Sequence, residues 1–547
     1  MQRILLVNLM RMGDILQSTP VVAGLRRAYP EAEIHLAFNE AFAETVCRID
    51  VDKAHPLPMA RLRDALASPE RFLDAFGELE RFGRRLNEKG PYDLLFNQTP
   101  SPAAAALSDL VEARARRGMR LDEARSFVPA DPYSAYLVAM MSNRRANPFH
   151  LVDIWLGTLG LRGPASLRMK VTDQDMERAV DLLRASGADP ERELFVGFQV
   201  SASQKEKCWS EEGFARLGRQ LERNLGARIL LFGVSEERDL SRRIASAVPG
   251  ALSLAGRTGL GELAALLRRA AVLVTNDTGT QHVAAAVGTP VVVVSVGPVF
   301  FRETGPYGEG HRVLQARLPC APCSFHVSCS NPVCKDRIRP DHVYTLAVWA
   351  MRRAQGPQPD FGPEVRSYRS GFDERGRLQY EPDVPDPDDE ILRFHKELWT
   401  ALLEGSETQP GPLDLLPADP KTRRRWDRAA SVLERASHLM DRMRTESVRR
   451  PLNAQEWKRL GDELRQEEEE LRGLAREAEE LSPFVHYLLI RRECFPTASP
   501  WAFLRMTSDL YRAAAAPILS ARTRPSPEKG GDFPWSDRNC ATPSPGP

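Results

Sequence analysis

Long apolar runs, cysteine and net charge are all scarce in this 547-residue sequence. No apolar run reaches the roughly 18–20 residues that a membrane-spanning helix needs, and the run at residues 4–7 is too short for a secretory signal. Eight cysteines are too few for a disulfide scaffold in a chain of this length. Lysine and arginine number 75 against 74 acidic residues, which gives no support for a nucleic-acid partner. The expected compartment is therefore the cytoplasm.

What the chain does contain is an alternation of strand and helix patterns. Hydrophobic residues make up 42% and charged residues 27%, as in ordinary globular proteins, and the length predicts about three to four domains. Apolar strand runs alternate with amphipathic helices over residues 1–165, and the pattern starts again over residues 166–355. The alternation predicts the α/β class: two Rossmann-like, doubly wound domains that face one ligand across a cleft.

The composition changes after residue 355. Residues 356–389 are predicted to form a hairpin with a glycine-containing turn, followed by a linker rich in proline and aspartate. Apolar residues at helical spacing then predict a mainly helical extension over residues 390–521, with two charged helices as an antiparallel pair or short coiled coil. Residues 522–547 are rich in proline, glycine and serine, and we expect a disordered tail there.

The junction between the first predicted strand and its helix, NLMRMGDILQSTP, is the first candidate for chemistry. Gly13 permits a tight turn there, and Asp14 stands at the start of the helix. An aspartate at this place serves as a helix cap, and it also fits a general base at the carboxyl end of the sheet. The spacing alone favours the cap, with the base as the alternative.

A second junction, VTNDTGTQHVAAAVGTP, follows a buried strand of the second half. Its polar turn contains Asp277, Thr278 and Gly279 and leads into a helix of small residues. The exposed amides and the positive dipole end at that helix start suit a phosphate group. His282 in the first turn fits a packed structural histidine or a ligand contact, and the sequence leaves both open.

Two further loops lie at the same predicted edge of the second sheet. The loop after the strand LFVGFQ contains Ser201, Lys205 and Lys207, where lysines can neutralise a diphosphate, although solvated surface lysines are the alternative. The loop LAGRTG contains Arg257 and Thr258 just before another helix, and both can face the same pocket.

Taken together, these segments resemble glycosyltransferase family 9, the lipopolysaccharide heptosyltransferases. The resemblance rests on four strings in this order: RMGDILQSTPVVAGLRRAYPEAEIH, KCWSEEGFARL, AGRTGLGELAALLRRA and TNDTGTQHVAAAVGTPVVVV. It covers residues 1–350 or so, and the NDTG-x-x-H-x-A-A-A-x-G-T-P string is its most specific part.

The resemblance implies a GT-B fold, in which residues 1–165 bind the acceptor and residues 166–355 bind the nucleotide-sugar donor. Asp14 matches the family's catalytic aspartate, and Gly13 and Asn97 are expected on the acceptor side. The donor-side candidates are Lys207, Lys205 as its fallback, Ser201, Arg257, Thr258, Asp277, Thr278, Gly279 and His282. The implied transfer inverts the anomeric centre and requires no metal or other cofactor.

A cysteine cluster departs from what the resemblance explains. Four of the eight cysteines lie within fifteen residues: Cys320, Cys323, Cys329 and Cys334. Four thiols so close together suit a structural zinc site, with His326 and His311 as further nearby ligands. The spacing is irregular for a zinc ribbon, which favours free thiols or a disulfide over the metal.

The predicted function is an inverting glycosyltransferase that transfers a sugar onto a lipopolysaccharide core or related surface glycan. The resemblance to the family implies that the sugar is heptose and the donor is ADP-heptose. The alternatives are transfer from another nucleotide-sugar to another surface polymer, a non-catalytic GT-B scaffold, and a metal or redox sensor built on the cysteines. The acceptor would be a lipid-linked saccharide at the inner face of the cytoplasmic membrane. Membrane association is therefore expected to be peripheral, with Arg114, Arg116, Arg117 and Arg120 as headgroup contacts or as a solvated helix face.

Overall fold

The computed structural model describes residues 1–163, 165–324, 329–352, 359–384, 387–404, 419–450, 452–495 and 499–522. The chain divides into two compact units, residues 1–396 with 475–496 and residues 397–474 with 497–547. Both α/β domains belong to the first unit. Apart from Arg522, the predicted disordered tail lies outside the described residues.

The first domain is built on a six-stranded sheet in the order β3-β2-β1-β4-β5-β6, parallel except for β6. Its strands are β1 (Arg3–Asn8), β2 (Glu33–Asn39), β3 (Lys53–Leu57), β4 (Tyr92–Asn97), β5 (Ala113–Leu121) and β6 (Phe127–Pro129). Its helices are α1 (Met12–Gln17), α2 (Thr19–Ala28), α3 (Ala43–Val46), α4 (Met59–Leu66), α5 (Phe72–Asn87), α6 (Pro102–Asp109), α7 (Pro132–Met140) and α8 (Leu151–Thr158). The strand order reverses between β1 and β4, so the loops after these strands lie where such sheets bind ligands.

The second domain has an eight-stranded sheet in the order β14-β13-β12-β11-β10-β7-β8-β9. Its strands are β7 (Leu194–Gln199), β8 (Ala227–Phe232), β9 (Leu252–Ser253), β10 (Ala270–Thr275), β11 (Val291–Ser295), β12 (Arg312–Ala316), β13 (Val365–Phe372) and β14 (Leu378–Pro382). Its helices are α9 (Asp173–Ala185), α10 (Glu211–Leu225), α11 (Arg238–Ala247), α12 (Leu260–Arg269), α13 (Gly279–Ala286), α14 (Phe301–Thr304), α15 (Val333–Arg337) and α16 (Pro340–Met351). Here the order reverses between β7 and β10.

The predicted hairpin is part of the second sheet rather than a segment outside it. Strand β13 pairs antiparallel with β12, and β14 continues the sheet beyond β13. Val365 and Tyr368 on β13 are buried. The hairpin therefore covers an edge that β12 would otherwise expose.

Five helices follow the hairpin: α17 (Pro387–Glu404), α18 (Pro420–Arg449), α19 (Ala454–Glu477), α20 (Ser482–Glu493) and α21 (Pro500–Arg522). Helix α20 packs against α7 within the first unit. In the second unit α18 packs along α21, whereas ion pairs such as Arg435–Glu467 at 2.7 Å join it to α19. The ion pairs Arg428–Glu470, Arg435–Glu467 and Arg442–Glu463 show that the two charged helices run antiparallel, as predicted. Among the described helices, none combines the length and apolarity required to span a bilayer.

The run of arginines at residues 114–120 lies on strand β5 and not on a helix face. Arg114 forms an ion pair with Asp93 at 2.8 Å. Arg116 is half-buried and donates to the carbonyl oxygens of Ser108 and Val111 at 2.7 and 2.5 Å. These partners give two of the four arginines structural roles within the first domain.

Candidate active site

Asp14 is the third residue of helix α1, just beyond the carboxyl end of β1. Arg11 occupies the N-cap position with an extended backbone, φ −86° and ψ 171°. The Asp14 carboxylate accepts the backbone N–H of Arg11 through Oδ2 at 3.1 Å. Asp14 is therefore not the N-cap itself that the cap interpretation expects, but it stabilises the helix start from the third helical position.

The surroundings of Asp14 favour its protonated form. Burial is the main cause that raises the pKa of this carboxyl, and the negative charge of Asp277 raises it further. The amide and the guanidinium of Arg11 act in the opposite direction. Asp277 belongs to the second domain, so its effect on Asp14 is an electrostatic contact across the cleft.

Helices α1 and α13 pack against each other, one from each domain. A Cβ atom on Gly13 would lie 2.6 Å from Cδ2 of His282, and one on Gly279 would lie 2.6 Å from Cε of Met12. Distances this short do not occur for real Cβ atoms, so Gly13 is needed beside the buried His282 ring, whereas the flexible end of Met12 could move away from a side chain at 279. The two junctions singled out in the sequence therefore face each other at this crossing.

Asp277 is held from two sides within the turn between β10 and α13. Lys207 approaches Asp277 Oδ2 with its Nζ at 2.7 Å, and the two side chains are only 13% and 12% exposed. On the other side, Gln281 Nε2 donates to Asp277 Oδ1 at 2.9 Å and to the carbonyl of Thr304 at 3.1 Å. The lysine and the aspartate predicted for the donor thus form an ion pair with each other.

The start of helix α13 has the features of an anion-binding site. Thr278 is the N-cap, with φ −144° and ψ 167°, and its side chain makes no capping hydrogen bond. The first amides of an α-helix have no partner within the helix itself. With the positive end of the dipole, amides left without a side-chain cap can bind a phosphate.

Trp209 links the loop that contains Lys207 to the turn before α13. The backbone N–H of Trp209 donates to Asn276 Oδ1 at 2.9 Å, and Asn276 Nδ2 donates to the carbonyl of Val200 at 2.9 Å. The indole Nε1 of Trp209 donates to two carbonyls near α15, those of Lys335 at 3.1 Å and Ile338 at 3.0 Å. These bonds join the loops after β7 and β10 at the switch point of the second sheet.

His282 is buried and its ring lies against Gly13. Burial lowers the pKa of the imidazole to about 4, so the ring is neutral at physiological pH. Its nearest polar neighbour is Gln281, with a distance of 3.5 Å between the two Nε2 atoms. The position suits a packed histidine at the helix crossing.

The other predicted residues take up varied positions. Ser201 is buried and accepts from Gln199 Nε2 at 2.9 Å. Lys205 is exposed, and its carbonyl accepts from Lys335 Nζ at 2.8 Å. Asn97 is buried, donates to the carbonyl of Met119 at 2.9 Å and accepts from the amide of Thr99 at 3.0 Å. Asn97 therefore holds its own loop together.

Arg257 and Thr258 are not brought to the Asp277 turn by any hydrogen bond among the described residues. Arg257 is exposed, and Thr258 is half-buried. The start of α12, the helix that follows them, is bound by a carboxylate of the first domain. Glu44 accepts hydrogen bonds from the amides of Leu260 at 2.9 Å and Gly261 at 3.3 Å.

Sequence reasoning missed Gln281 and Glu44. Gln281 stood within the NDTG string, four residues after Asp277, a spacing that places two side chains on one helix face. Glu44 lies on a short helix of the first domain, 216 residues before Leu260. Its contact with α12 depends on how the two domains pack, which no local pattern in the sequence reports.

The expectation of a structural zinc site is not supported. The cysteines at 320, 323, 329 and 334 are free, and the described residues contain no group of three or more His, Cys, Asp or Glu side chains able to hold a metal ion. Burial and the neighbouring thiols raise the pKa of Cys323, which favours its neutral thiol form. His311 is buried among residues lining a separate cavity, and His326 lies outside the described residues.

Comparison with known proteins identifies the family. A family model for glycosyltransferase family 9 (heptosyltransferase) matches residues 79–333. Lipopolysaccharide heptosyltransferase 1 of Pseudomonas aeruginosa is 28% identical over 364 residues, which are 63% of this chain and 96% of that protein. The chain is a glycosyltransferase whose residues 79–333 match family 9.

Further similarities of this glycosyltransferase agree with the family match. Lipopolysaccharide heptosyltransferase 2 of Salmonella typhimurium is 25% identical over 333 residues, 57% of this chain and 88% of that protein. The crystal structure of the glycosyl transferase family 9 from Veillonella parvula covers 64% of this chain and 98% of its own, with 20% identity and a TM-score of 0.52. The structural likeness confirms the fold, two Rossmann-like domains of the GT-B type.

Proposed function

We propose that this glycosyltransferase transfers heptose from ADP-heptose onto a lipopolysaccharide core acceptor, with inversion at the anomeric carbon. The names of the two family relatives, both lipopolysaccharide heptosyltransferases, support the sugar and the acceptor class. The main support for the mechanism is the packing of α1 against α13. This packing brings the Asp14 carboxylate close enough to Asp277 for the negative charge of Asp277 to raise its pKa.

The donor diphosphate would bind at the start of α13. The amides of Thr278 and Gly279, which have no side-chain cap, would face the phosphate oxygens, and Lys207 would supply a positive charge beside them. Lys207 is paired with Asp277 in this structure, so a bound diphosphate must share or replace that partner. Asp277 would then be available for hydroxyl groups of the sugar.

Asp14 would act as the general base. Burial raises its pKa, and a carboxylate of higher pKa takes a proton from a hydroxyl more readily than an exposed one. The Arg11 amide fixes Oδ2, which limits the positions that the carboxylate can take.

The proposed step is a single displacement. The acceptor oxygen forms a bond to the anomeric carbon while its proton passes to Asp14, and the bond from the anomeric carbon to the diphosphate oxygen breaks. The negative charge that grows on the departing ADP meets the α13 amides and Lys207, where it is stabilised as it develops. Attack from the face opposite the diphosphate inverts the configuration.

A panel of nucleotide-sugars tests the proposal. The purified chain would be incubated with a lipid-linked core acceptor and one donor at a time, either ADP-heptose or an ADP-, UDP-, GDP- or TDP-hexose. Mass spectrometry would then measure the mass of the product. We expect one added heptose with ADP-heptose alone. Transfer from another donor would overturn the assigned sugar and nucleotide, and binding of a donor without any transfer would indicate a non-catalytic GT-B scaffold.

A further inference from the structure

The hairpin of helices α4 and α5 carries a cluster of exposed apolar side chains, here called the apolar tip. Its members are Leu66 (47% exposed), Phe72 (43%), Leu73 (80%) and Phe76 (54%). The rings of Phe72 and Phe76 contact each other edge to face, with centroids 4.9 Å apart. Single exposed apolar residues are ordinary, but four within eleven residues form a patch of the kind that marks an interaction surface.

The topology places the apolar tip at the ligand-binding edge of the first sheet. Helix α4 begins two residues after the carboxyl end of β3, and α5 then runs back to the amino end of β4. A 16-residue helix is about 24 Å long, close to the length of a strand in this sheet, so α5 spans the sheet from one edge to the other. Asp14 follows β1 at the edge where α5 begins.

We propose that the apolar tip inserts into the headgroup region of a lipid bilayer and docks the first domain beside its acceptor. This inference rests on the proposed function in one respect, namely that the acceptor is lipid-linked. A membrane-bound acceptor must reach Asp14 from the carboxyl edge of the first sheet, and the apolar tip stands on that edge. Its four side chains project from the junction of two helices, which suits a fluid surface that closes around them.

The charges around the apolar tip indicate how it would bind. Exposed arginines flank it, including Arg61 and Arg63 on α4 and Arg71 just before α5, and their long side chains can reach lipid phosphates while the tip is inserted. Acidic residues are nearly as frequent along the hairpin, and Glu80 pairs with Arg84 at 2.7 Å. The attraction to anionic lipid is therefore weak, and apolar insertion must supply most of the binding.

Vesicle co-sedimentation of the full-length chain tests the proposal without donor or acceptor. The probes are vesicles of phosphatidylcholine alone and of phosphatidylcholine with phosphatidylglycerol, each at low and high salt. We expect binding to both vesicles with little loss at high salt. The double variant Leu73→Ser/Phe76→Ser should bind at least about tenfold more weakly, because each side chain loses the apolar burial that insertion supplies.

The matched control is Met141→Ser/Leu194→Ser, which removes two exposed apolar side chains far along the sequence from the apolar tip. This control should bind vesicles like the wild type, and circular dichroism should show both double variants folded. Equal vesicle binding by Leu73→Ser/Phe76→Ser and the wild type would overturn the proposal, as would absence of binding by the wild type. A change of oligomeric state in that variant without any vesicle binding would assign the apolar tip to a second copy of the chain.

The vesicle measurement can be interpreted even if the proposed function is wrong, because it requires no catalysis. If both proposals hold, Leu73→Ser/Phe76→Ser should slow transfer to an acceptor embedded in vesicles. Transfer to the same core saccharide released from its lipid should keep the wild-type rate. Equal slowing on both acceptors would place the effect in the active site and contradict docking.

Discussion

At the scale of single residues, the carboxylates of Asp14 and Asp277 are the centre of the proposed chemistry. Each aspartate comes from a different domain, and the negative charge of Asp277 adds to the burial that raises the pKa of Asp14. Lys207 lies against Asp277 at 2.7 Å and offsets part of that charge. The protonation of the proposed base is thus linked to the residues proposed to hold the donor.

Asp277→Asn should move the acid limb of the pH profile of kcat/KM to lower pH. The substitution removes the negative charge of Asp277 near Asp14, and this lowers the pKa of Asp14. The rate itself should fall because a donor contact is lost, so the readout is the position of the limb. Asp341→Asn, an exposed aspartate on α16, should leave the limb unchanged, and an upward shift in Asp277→Asn would contradict this account.

Single residues were predictable from the sequence where a local string carried them. Asp277, Thr278 and Gly279 stood at a strand-to-helix junction, and the structure puts that junction opposite Asp14. Asn97 was expected on the acceptor side, but its amide group is bonded to the backbone of Met119 on β5 and of Thr99 in the loop that follows β4. A side chain's hydrogen-bond partners depend on distant segments, which explains why such residues were harder to interpret.

At the scale of elements, the crossing of α1 and α13 brings the two halves of the site together. Glycine at 13 leaves room for the buried ring of His282, which a Cβ atom at that position would meet at 2.6 Å. The sequence showed Gly13 as a turn residue, whereas in the structure it lies within helix α1 and is needed for close packing. The pattern could not reveal this, because the contacting histidine lies 269 residues further along the chain.

Gly13→Ala should loosen this crossing. The new Cβ would lie 2.6 Å from the buried His282 ring, and overpacking of this kind costs about 1–3 kcal/mol, more than the helix propensity that alanine adds. We expect a lower unfolding midpoint in urea and a reduced kcat.

Gly77→Ala on α5 is the matched control for this helix crossing. Its nearest neighbour is the flexible end of Arg81 at 3.4 Å, so the same change there should stabilise the protein slightly. If Gly13→Ala were as stable and active as the wild type, the tight crossing would not exist in solution.

Apolar runs predicted which elements form better than which elements pair. Runs such as RILLVN and YDLLFN are buried strands, as their patterns indicate. The pairing of β13 with β12 and the packing of α21 along α18 were not predictable, because an apolar face of a strand or helix does not specify the surface that covers it. In the structure, the hairpin of β13 and β14 extends the second sheet, and α18 packs along α21.

At the scale of the whole molecule, polar contacts between the two α/β domains hold the proposed cleft in one arrangement. Arg48, two residues after α3, binds Asp175 of α9 through two bonds of 2.6 and 3.0 Å, and both side chains are largely buried. Glu44, one turn earlier, accepts from the start of α12. The guanidinium of Arg48 also holds the pKa of Asp175 well below its usual range.

Arg48→Gln should destabilise the first unit by about 2–3 kcal/mol at pH 7, because it leaves a buried carboxylate without its charged partner. A lowered carboxyl pKa contributes stability above the unfolded pKa of about 4, and that contribution is lost as the pH falls. The difference in urea midpoint between wild type and variant should therefore shrink toward acid pH.

Arg178→Gln, which removes an exposed pair with Glu262 between α9 and α12, is the control for this pair and should cost well under about 1 kcal/mol. Equal effects of the two substitutions would show that Arg48 is an ordinary surface residue.

The most direct test of the account is to compare donor binding and single-turnover transfer in the wild type and in Asp14→Asn. Asparagine keeps an oxygen for the Arg11 amide but cannot take a proton from the acceptor hydroxyl. Calorimetric titration with ADP-heptose should give nearly the same affinity for both proteins, while the transfer rate of the variant should fall about 10³-fold. A transfer rate within a few fold of the wild type, or loss of donor binding together with transfer, would contradict the role of Asp14 as the base.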